Sequence, residues 1–302
     1  MSVLFTFPGQ GAQRSGMLHG LPDSAALLAE SAAVLGHDPL ALDTEQALQS
    51  TRAVQLCLLI SGVAHARQLM EHGAQPAMVA GFSIGEYAAA VIAGVIDFAD
   101  AVRLVARRGE LMEQAYPSGH GMAVVLGLDA QQLAPLVAQV HSATEPVYIA
   151  NLNAAREIVV SGSDAGLAAV MTLARTHGAS CAKRLAVAVP SHCPLFDDAA
   201  LQMQQAFDNV VLHRPRCTYL SSSAARALFD PQRIAASLAA NMAKQVQWAV
   251  TVRLAWERGA RLALEMPPGA VLTKLTAPLL EDGLAVGCDS TRLDTVLALA
   301  MR

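Results

Sequence analysis

The sequence is poor in charged and aromatic residues. Of its 302 residues, 15% are charged and 4% are aromatic, and the net charge at pH 7 is −4. Lys and Arg are scattered and form no basic stripe, so we do not expect nucleic acid as a partner. The 53% hydrophobic share argues against disorder, and a chain of this length can bury a large core. These features favour a compact α/β enzyme.

Cysteines are few, and no segment is typical of a membrane span. The five cysteines are dispersed without CxxC or CxxH spacing, which indicates reduced thiols in a cytoplasmic protein and no zinc site. The nearest candidate for a span, residues 53–64, contains Gln55 and Ser61. The N-terminus lacks the basic region of a signal peptide, so we interpret 3–7 as a first strand. We expect no metal and no tightly held cofactor.

The segment 79–90 joins an apolar strand to an Ala-rich helix through Gly81-Phe82-Ser83-Ile84-Gly85. Gly-x-Ser-x-Gly between a strand and a helix is typical of a nucleophile elbow, in which a sharp turn exposes the serine hydroxyl at the positive end of the helix. The two glycines allow the tight bend and the close packing of helix on strand. For an isolated match, the alternative is an ordinary helix N-cap serine. The flanking elements favour the nucleophile.

From Gly121 onward, the predicted strands and helices follow a different order. Residues 122–189 predict strand, helix, strand, strand, helix and strand, the βαββαβ order, with the last strand over 182–189. We therefore expect a small inserted domain at 119–189 and a catalytic domain formed by 1–118 and 190–302. In the catalytic domain, the sequence also predicts a helix that is capped by 22–24 and a second helix over 270–280.

Two loops and one helix carry candidates for the chemistry of the serine. The Gly-rich turn at 8–13 either aims backbone N–H groups at an oxyanion or is a plain turn. His192 lies in a Pro-Ser-His-Cys-Pro loop where the small domain returns to the large one, which makes it the best candidate for a general base. The helix at 97–114 carries Arg103, Arg107 and Arg108, and three arginines on a helix usually form a solvated face.

Seven ordered motifs resemble those of the malonyl-CoA:acyl carrier protein transacylases from one end of the chain to the other. They are Phe7-Pro8-Gly9-Gln10-Gly11-Ala12-Gln13, Gly81-Phe82-Ser83-Ile84-Gly85-Glu86-Tyr87, Arg107-Arg108-Gly109-Glu110-Leu111-Met112, Asn151-Leu152-Asn153, Val189-Pro190-Ser191-His192-Cys193, Val246-Gln247-Trp248 and Glu265-Met266-Pro267-Pro268-Gly269. Together they are far more specific than any one of them. The resemblance implies an α/β fold in which an α/β-hydrolase-like core carries an inserted ferredoxin-like small domain.

Catalytic roles follow from the resemblance by position. Ser83 is expected to be the nucleophile and His192 its base. The base is expected to be oriented by a backbone carbonyl instead of a carboxylate, and the matching position is Asn241, where the family often has Gln. The backbone N–H groups of Gln10 and Ile84 match the oxyanion hole.

Substrate contacts are implied in the same way. Arg108 matches the residue that pairs with the malonyl carboxylate, a role that suits a planar guanidinium with two parallel donors. The remaining contacts are expected from Gln10, Phe82, Met112 and Ser191. The family usually has His directly before the serine, whereas this chain has Phe82, so we expect loss of a polar contact near the substrate or Arg108.

The resemblance implies a ping-pong acyl transfer, in which malonyl-CoA loads the serine and a carrier-bound thiol takes the malonyl group. Within the family, segments 9–19 and 50–56 look most like the epsilon subunit of bacterial malonate decarboxylase, whose acceptor is the decarboxylase carrier subunit. The alternative is the malonyl-CoA:acyl carrier protein transacylase of fatty-acid or polyketide synthesis. A serine thioesterase or esterase and a non-catalytic scaffold are further alternatives. CoA enters only as part of the substrate.

Overall fold

The computed structural model describes residues 2–22 and 24–302, and it contains ten strands in two separate sheets. In chain order the strands are β1 (Ser2–Phe7), β2 (Met78–Gly81), β3 (His120–Leu126), β4 (Val147–Ala154), β5 (Glu157–Ser163), β6 (Cys181–Arg184), β7 (Thr218–Ser221), β8 (Arg226–Leu228), β9 (Ala260–Glu265) and β10 (Leu284–Gly287).

Eleven α-helices connect the strands in the part of the chain that the structure describes. They are α1 (Ala25–Leu35), α2 (Thr51–Glu71), α3 (Gly85–Ile92), α4 (Phe98–Ala115), α5 (Ala130–Val140), α6 (Asp164–Thr176), α7 (Asp197–Ala206), α8 (Pro231–Ala240), α9 (Trp248–Glu257), α10 (Val271–Thr276) and α11 (Leu293–Ala300). The fold is therefore mixed α/β.

The larger sheet has the strand order β10-β9-β1-β2-β7-β8, and all its pairs are parallel except the β7–β8 pair. Leu4, Phe5 and Val79 in its central strands are fully buried, as expected for parallel strands covered by helices on both faces. Because parallel strands end at the same edge, the loops after β1, β2 and β9 meet there. That edge carries the candidate site.

Among the residues that the structure describes, one helix, α2, is long and apolar enough to cross a membrane by length and composition. In this structure 78% of its most apolar window is buried inside the protein. The helix packs closely on α4, since a Cβ atom on Gly109 would lie 2.4 Å from the Cα of Arg52. This close crossing makes α2 a core helix beside the large sheet.

The smaller sheet is antiparallel, with the order β4-β5-β3-β6. Helices α5 and α6 cover one of its faces, where Val125, Ile158 and Leu167 belong to a separate apolar core. Alternate residues of β3, including Met122 and Val124, point to the opposite face. The opposite face is turned towards the loops at the edge of the large sheet.

The structure corrects several element boundaries that the sequence suggests. The strand expected over 182–189 ends at Arg184, because the hydrogen bond from the Leu185 N–H to the Met122 carbonyl is its last bond to β3 and the chain then leaves the sheet. The helix expected over 270–280 is α10 followed by a 3₁₀ turn. Strands β8 and β10 and helix α11 were not expected. Of the expected cap at 22–24, Asp23 lies outside the described residues.

Candidate active site

Ser83 occupies a sharp turn between β2 and α3, and its φ of +56° lies in the left-handed region. The flanking glycines make this turn possible. A Cβ atom on Gly81 would lie 2.0 Å from the Glu86 nitrogen, and one on Gly85 would lie 2.1 Å from the Phe7 carbonyl oxygen. Neither distance tolerates a side chain, so the sequence Gly-x-Ser-x-Gly is required by close backbone packing as well as by the turn. The strain at a non-glycine residue is typical of functional positions.

His192 is in hydrogen-bond contact with the serine. The Ser83 Oγ lies 2.7 Å from the His192 Nε2, and the His192 Nδ1 lies 3.0 Å from the Asn241 carbonyl and 3.1 Å from the Lys244 carbonyl. Because carbonyls only accept, Nδ1 carries the imidazole hydrogen and Nε2 is left to accept the serine proton. Two backbone carbonyls therefore orient the imidazole where a carboxylate would do so in a serine triad.

The environment of His192 keeps its imidazole neutral. Burial and then the nearby Arg108 guanidinium lower the pKa of His192 to about 4, against the opposing effect of the two carbonyls. An imidazole with this pKa is unprotonated at neutral pH, so it is available as a base.

Arg108 lies fully buried next to the serine. Its Nη2 donates to the Ser83 Oγ at 3.3 Å and to the Asn241 Oδ1 at 2.8 Å. Its Nε and Nη1 have no hydrogen-bond partner, and none of the ion pairs among the described residues includes it. A buried guanidinium without a counterion is costly, and burial lowers the pKa of Arg108. The two free donor atoms are suited to an anionic ligand beside Ser83.

The other two arginines of α4 differ from Arg108. Arg103 pairs with Asp100, and Arg107 donates to Gln202 at 3.1 Å, both on the exposed side of the helix. Two of the three arginines therefore form the solvated face that the pattern suggested, whereas Arg108 points into the protein.

Two backbone N–H groups near Ser83 are free to bind an oxyanion. Among the described residues, neither the Gln10 nor the Ile84 N–H donates to a protein acceptor. Gly9 brings the loop after β1 against the elbow, since a Cβ atom there would lie 2.9 Å from the Phe82 carbonyl oxygen. The Gln10 side chain is held from the other side, where its Oε1 accepts from the Gln55 Nε2 at 3.1 Å.

A cavity of about 380 Å³ opens beside the serine, between the loops at the edge of the large sheet and the free face of the small sheet. Its walls include Gln10, Phe82, Ser83, Ser191 and His192. Arg108, Ile84, Met112 and Asn241 are buried without lining the cavity. Met112 lies near the Gln55 amide, with its Sδ 3.3 Å from the Nε2.

Phe82 contributes an aromatic surface to this cavity. Its ring packs edge to face on Trp248, with 5.6 Å between the ring centroids. It therefore belongs to the apolar cluster on that side of the large sheet, together with Leu272 and Leu275, which also line the cavity. The cavity thus has an apolar wall opposite the polar groups around Ser83.

Sequence reasoning missed one buried carboxylate in the elbow. Glu86 is fully buried and accepts from the Ser222 Oγ, the N–H groups of Ser222 and Ser223, and the Tyr219 hydroxyl, at 2.6 to 3.1 Å. Burial raises the pKa of Glu86, against the effect of these donors. The signal in the sequence was a single charged residue, Glu86, within the otherwise apolar helix α3. The hydrogen bonds of Glu86 connect α3 to the residues that follow β7.

Within residues 2–22 and 24–302, no group of three His, Cys, Asp or Glu side chains is arranged to hold a metal ion.

Comparison with known proteins gives consistent matches along the whole chain. The acyl transferase domain model matches residues 4–284. A malonyl CoA-acyl carrier protein transacylase of Escherichia coli is 35% identical over 286 residues, which cover 92% of each chain. The structure of a transacylase of the same name from Coxiella burnetii superposes with a TM-score of 0.93 at 29% identity and covers 100% of this chain and 98% of that one. A malonyl-transacylase in complex with its type II PKS acyl-carrier protein gives 0.93 at 33% identity, with 99% and 100% coverage.

Proposed function

This chain belongs to the acyl transferase domain family and is an acyltransferase, and we propose that it moves a malonyl group from malonyl-CoA to the thiol of an acyl carrier protein. The observation that carries this proposal is the buried Arg108, whose Nε and Nη1 have no hydrogen-bond partner among the described residues and whose Nη2 donates to the Ser83 Oγ. A substrate carboxylate would supply the missing counterion at the place where the acyl group is attached.

In the first half-reaction, Ser83 attacks the thioester carbonyl of malonyl-CoA while its proton passes to the His192 Nε2, 2.7 Å away. The carbonyl oxygen becomes an oxyanion, which accepts from the free N–H groups of Gln10 and Ile84. Collapse of this intermediate breaks the C–S bond. The leaving sulfur takes the proton from His192, and malonyl-Ser83 remains.

In the second half-reaction, the thiol of the carrier attacks malonyl-Ser83. His192 accepts the thiol proton, the same oxyanion hole stabilises the tetrahedral intermediate, and the serine oxygen leaves with the proton from His192. Because one base serves both halves, a neutral imidazole must be available at the start of each. A pKa of about 4 for His192 meets this requirement at neutral pH.

Selectivity for malonyl follows from the charge of Arg108. A carboxylate can accept two parallel hydrogen bonds from a guanidinium. An acetyl group has no charge to offer, so it leaves the buried guanidinium unpaired. An ordinary serine esterase or thioesterase would need no such residue, and this contrast favours transfer of a carboxylated acyl group over hydrolysis of a simple ester.

The acceptor is best described as an acyl carrier protein. The relatives that match are named malonyl CoA-acyl carrier protein transacylases, and one solved relative is in complex with a type II PKS acyl-carrier protein. These names favour the transacylase of fatty-acid or polyketide synthesis over the malonate decarboxylase subunit. The decarboxylase carrier remains our second candidate, and it is supported by the resemblance of segments 9–19 and 50–56 alone.

We also assign the architecture to an α/β-hydrolase-like core, residues 1–118 and 190–302, with a ferredoxin-like insert at 119–189. The parallel centre of the large sheet and the elbow after β2 support the first assignment. The βαββαβ order and the antiparallel strand order β4-β5-β3-β6 support the second.

The acceptor can be tested by offering the malonyl-loaded protein two carriers at equal concentration, a phosphopantetheinyl acyl carrier protein and a malonate decarboxylase carrier with its own prosthetic thiol. Mass spectrometry of each carrier over time measures the transfer. We expect faster loading of the phosphopantetheinyl carrier. Preferential loading of the decarboxylase carrier would reverse the order of the two candidates, and release of free malonate without loading would indicate a hydrolase.

A further inference from the structure

An ion pair outside the catalytic cavity holds the loop that carries Gln10. Arg14, four residues after Gln10, donates to both carboxylate oxygens of Asp289, at 2.5 and 2.9 Å. Asp289 lies two residues after the end of β10, so the pair bridges parts of the chain that are 275 residues apart. A guanidinium that meets a carboxylate with two parallel bonds fixes orientation as well as distance.

The same carboxylate also holds a second wall of the cavity. The Asp289 Oδ2 accepts from the Gly269 N–H at 2.9 Å, in the turn that leads into α10. Helix α10 supplies Leu272 and Leu275 to the cavity lining. A Cβ atom on Gly269 would lie 3.7 Å from the Cβ of Ala12, so this turn and the loop after β1 are in direct contact.

Beyond Arg14, residues 15–18 are anchored separately, because the Asp43 carboxylate accepts from the N–H groups of Met17 and Leu18, at 3.1 and 2.6 Å. Between Gln10 and Arg14 the contacts are fewer. The Gly11 N–H donates to the Gln13 Oε1 at 2.7 Å, which is a bond within the loop itself. Gln10 is held through its side chain by Gln55, but its backbone N–H has no protein partner among the described residues. The direction of that N–H therefore depends on how the loop is fixed on either side of it.

We propose that Arg14 and Asp289 are positioning residues, which fix the loop after β1 so that the Gln10 N–H points at the oxyanion formed on Ser83. The inference rests on the proposed function, because it concerns the rate of acyl-serine formation. Arg14 does not touch the substrate cavity, and its side chain is 56% exposed, compared with 20% for Asp289. A pair this exposed adds little to folding stability, so its consequence is expected in geometry.

The test compares single-turnover formation of malonyl-Ser83 in the wild type, Arg14→Ala, Asp289→Ala and the double variant, by rapid quench and intact mass. Loss of a complete oxyanion donor costs about 10²- to 10³-fold in rate, so displacement of one donor is expected to cost roughly 10-fold. The rate constant at saturating malonyl-CoA should fall, while the malonyl-CoA concentration that gives half of the saturating rate should change by less than about twofold. The double variant should be no slower than Asp289→Ala, because the pair acts as one unit.

Arg14→Lys keeps the charge but loses the paired donors, and it should fall between wild type and Arg14→Ala. Arg292→Ala is the matched control, since it removes an exposed arginine that pairs with Asp294 at 2.7 Å in the same part of the chain. We expect wild-type rates for this control and unchanged melting temperatures for all variants. The proposal is overturned if Asp289→Ala keeps the wild-type rate, or if it changes only the malonyl-CoA concentration that gives half of the saturating rate. Absence of the adduct in the wild type would instead count against the proposed function.

Discussion

Replacing Arg108 by Ala should remove most of the preference for malonyl over acetyl that we propose for this protein. Arg108 is 0% exposed, and we propose that it is neutralised only when a substrate carboxylate binds. Truncating one partner of a buried, hydrogen-bonded charge pair costs about 2 to 5 kcal/mol. Since about 1.4 kcal/mol corresponds to tenfold, kcat/KM for malonyl-CoA should fall roughly 30-fold to several thousand-fold.

The acetyl reaction should respond differently, because an acetyl group makes no ion pair with Arg108. Removing the guanidinium leaves space beside Ser83 and takes away an unpaired buried charge, so kcat/KM for acetyl-CoA should change by less than about tenfold. After burial, the Arg108 guanidinium is the second cause that lowers the pKa of His192 to about 4, so this pKa should rise when Arg108 is removed. The acidic limb of the pH profile should therefore move to higher pH in Arg108→Ala.

The assay follows release of CoA thiol in the presence of a saturating carrier, with malonyl-CoA and acetyl-CoA compared at each of several pH values. Arg103→Ala is the matched control, because Arg103 lies on the exposed face of the same helix and pairs with Asp100. An equal fall for both substrates in Arg108→Ala would refute the carboxylate contact. An unchanged acidic limb would contradict the electrostatic coupling between Arg108 and His192.

Three further predictions concern the base, the elbow and its buried carboxylate. With a pKa of about 4 for His192, kcat/KM of the wild type should stay level from pH 8 to about 5 and fall at lower pH, because only the neutral imidazole accepts the serine proton; a limb centred near pH 6.5 would contradict this. Gly85→Ala places a Cβ atom 2.1 Å from a backbone oxygen, so little folded protein is expected by circular dichroism, whereas Gly20→Ala, with no atom within 4 Å, should fold normally. Glu86→Ala leaves the buried Ser222 N–H and the partly buried Ser223 N–H without an acceptor. At about 1 to 3 kcal/mol for each unsatisfied group, the free energy of unfolding in urea should drop by roughly 2 to 6 kcal/mol; a loss below 1 kcal/mol would mean that water replaces the carboxylate.

The positions of the serine and of its surrounding elements could be predicted because local chemistry dictates them. A strand that turns sharply into a helix needs glycine at the positions of Gly81 and Gly85, where no side chain fits. The apolar strand before Gly81 distinguishes this turn from a chance Gly-x-Ser-x-Gly match. The βαββαβ order of 119–189 was also predictable, since strands such as β3 and β5 contain short apolar runs and its helices are capped by Asp129 and Ser163. Each of these signals depends on a few neighbouring residues, so it can be read from the sequence alone.

Other features depend on contacts between distant segments, which periodicity does not record. The apolar run at 185–189 was expected to continue the strand over 182–189, but the chain leaves β3 after the bond from Leu185, and residues 185–188 line cavities beside the small sheet. Arg108 is turned about 100° from Arg107 around the helix, so it need not share the face of Arg103 and Arg107, but its role beside Ser83 is implied only by the family resemblance. The partner of Arg14 lies 275 residues away, and a single Arg or Asp carries no sign of such a pairing.

Transfer through malonyl-Ser83 can be tested by measuring the intact mass of the protein after brief mixing with malonyl-CoA, in parallel with Ser83→Ala. We expect the wild type to gain the mass of one malonyl group and Ser83→Ala to gain none, and we expect addition of a thiol-bearing carrier to remove the adduct. An adduct of the same size on Ser83→Ala, or accumulation of free malonate with no adduct on the wild type, would contradict transfer through malonyl-Ser83.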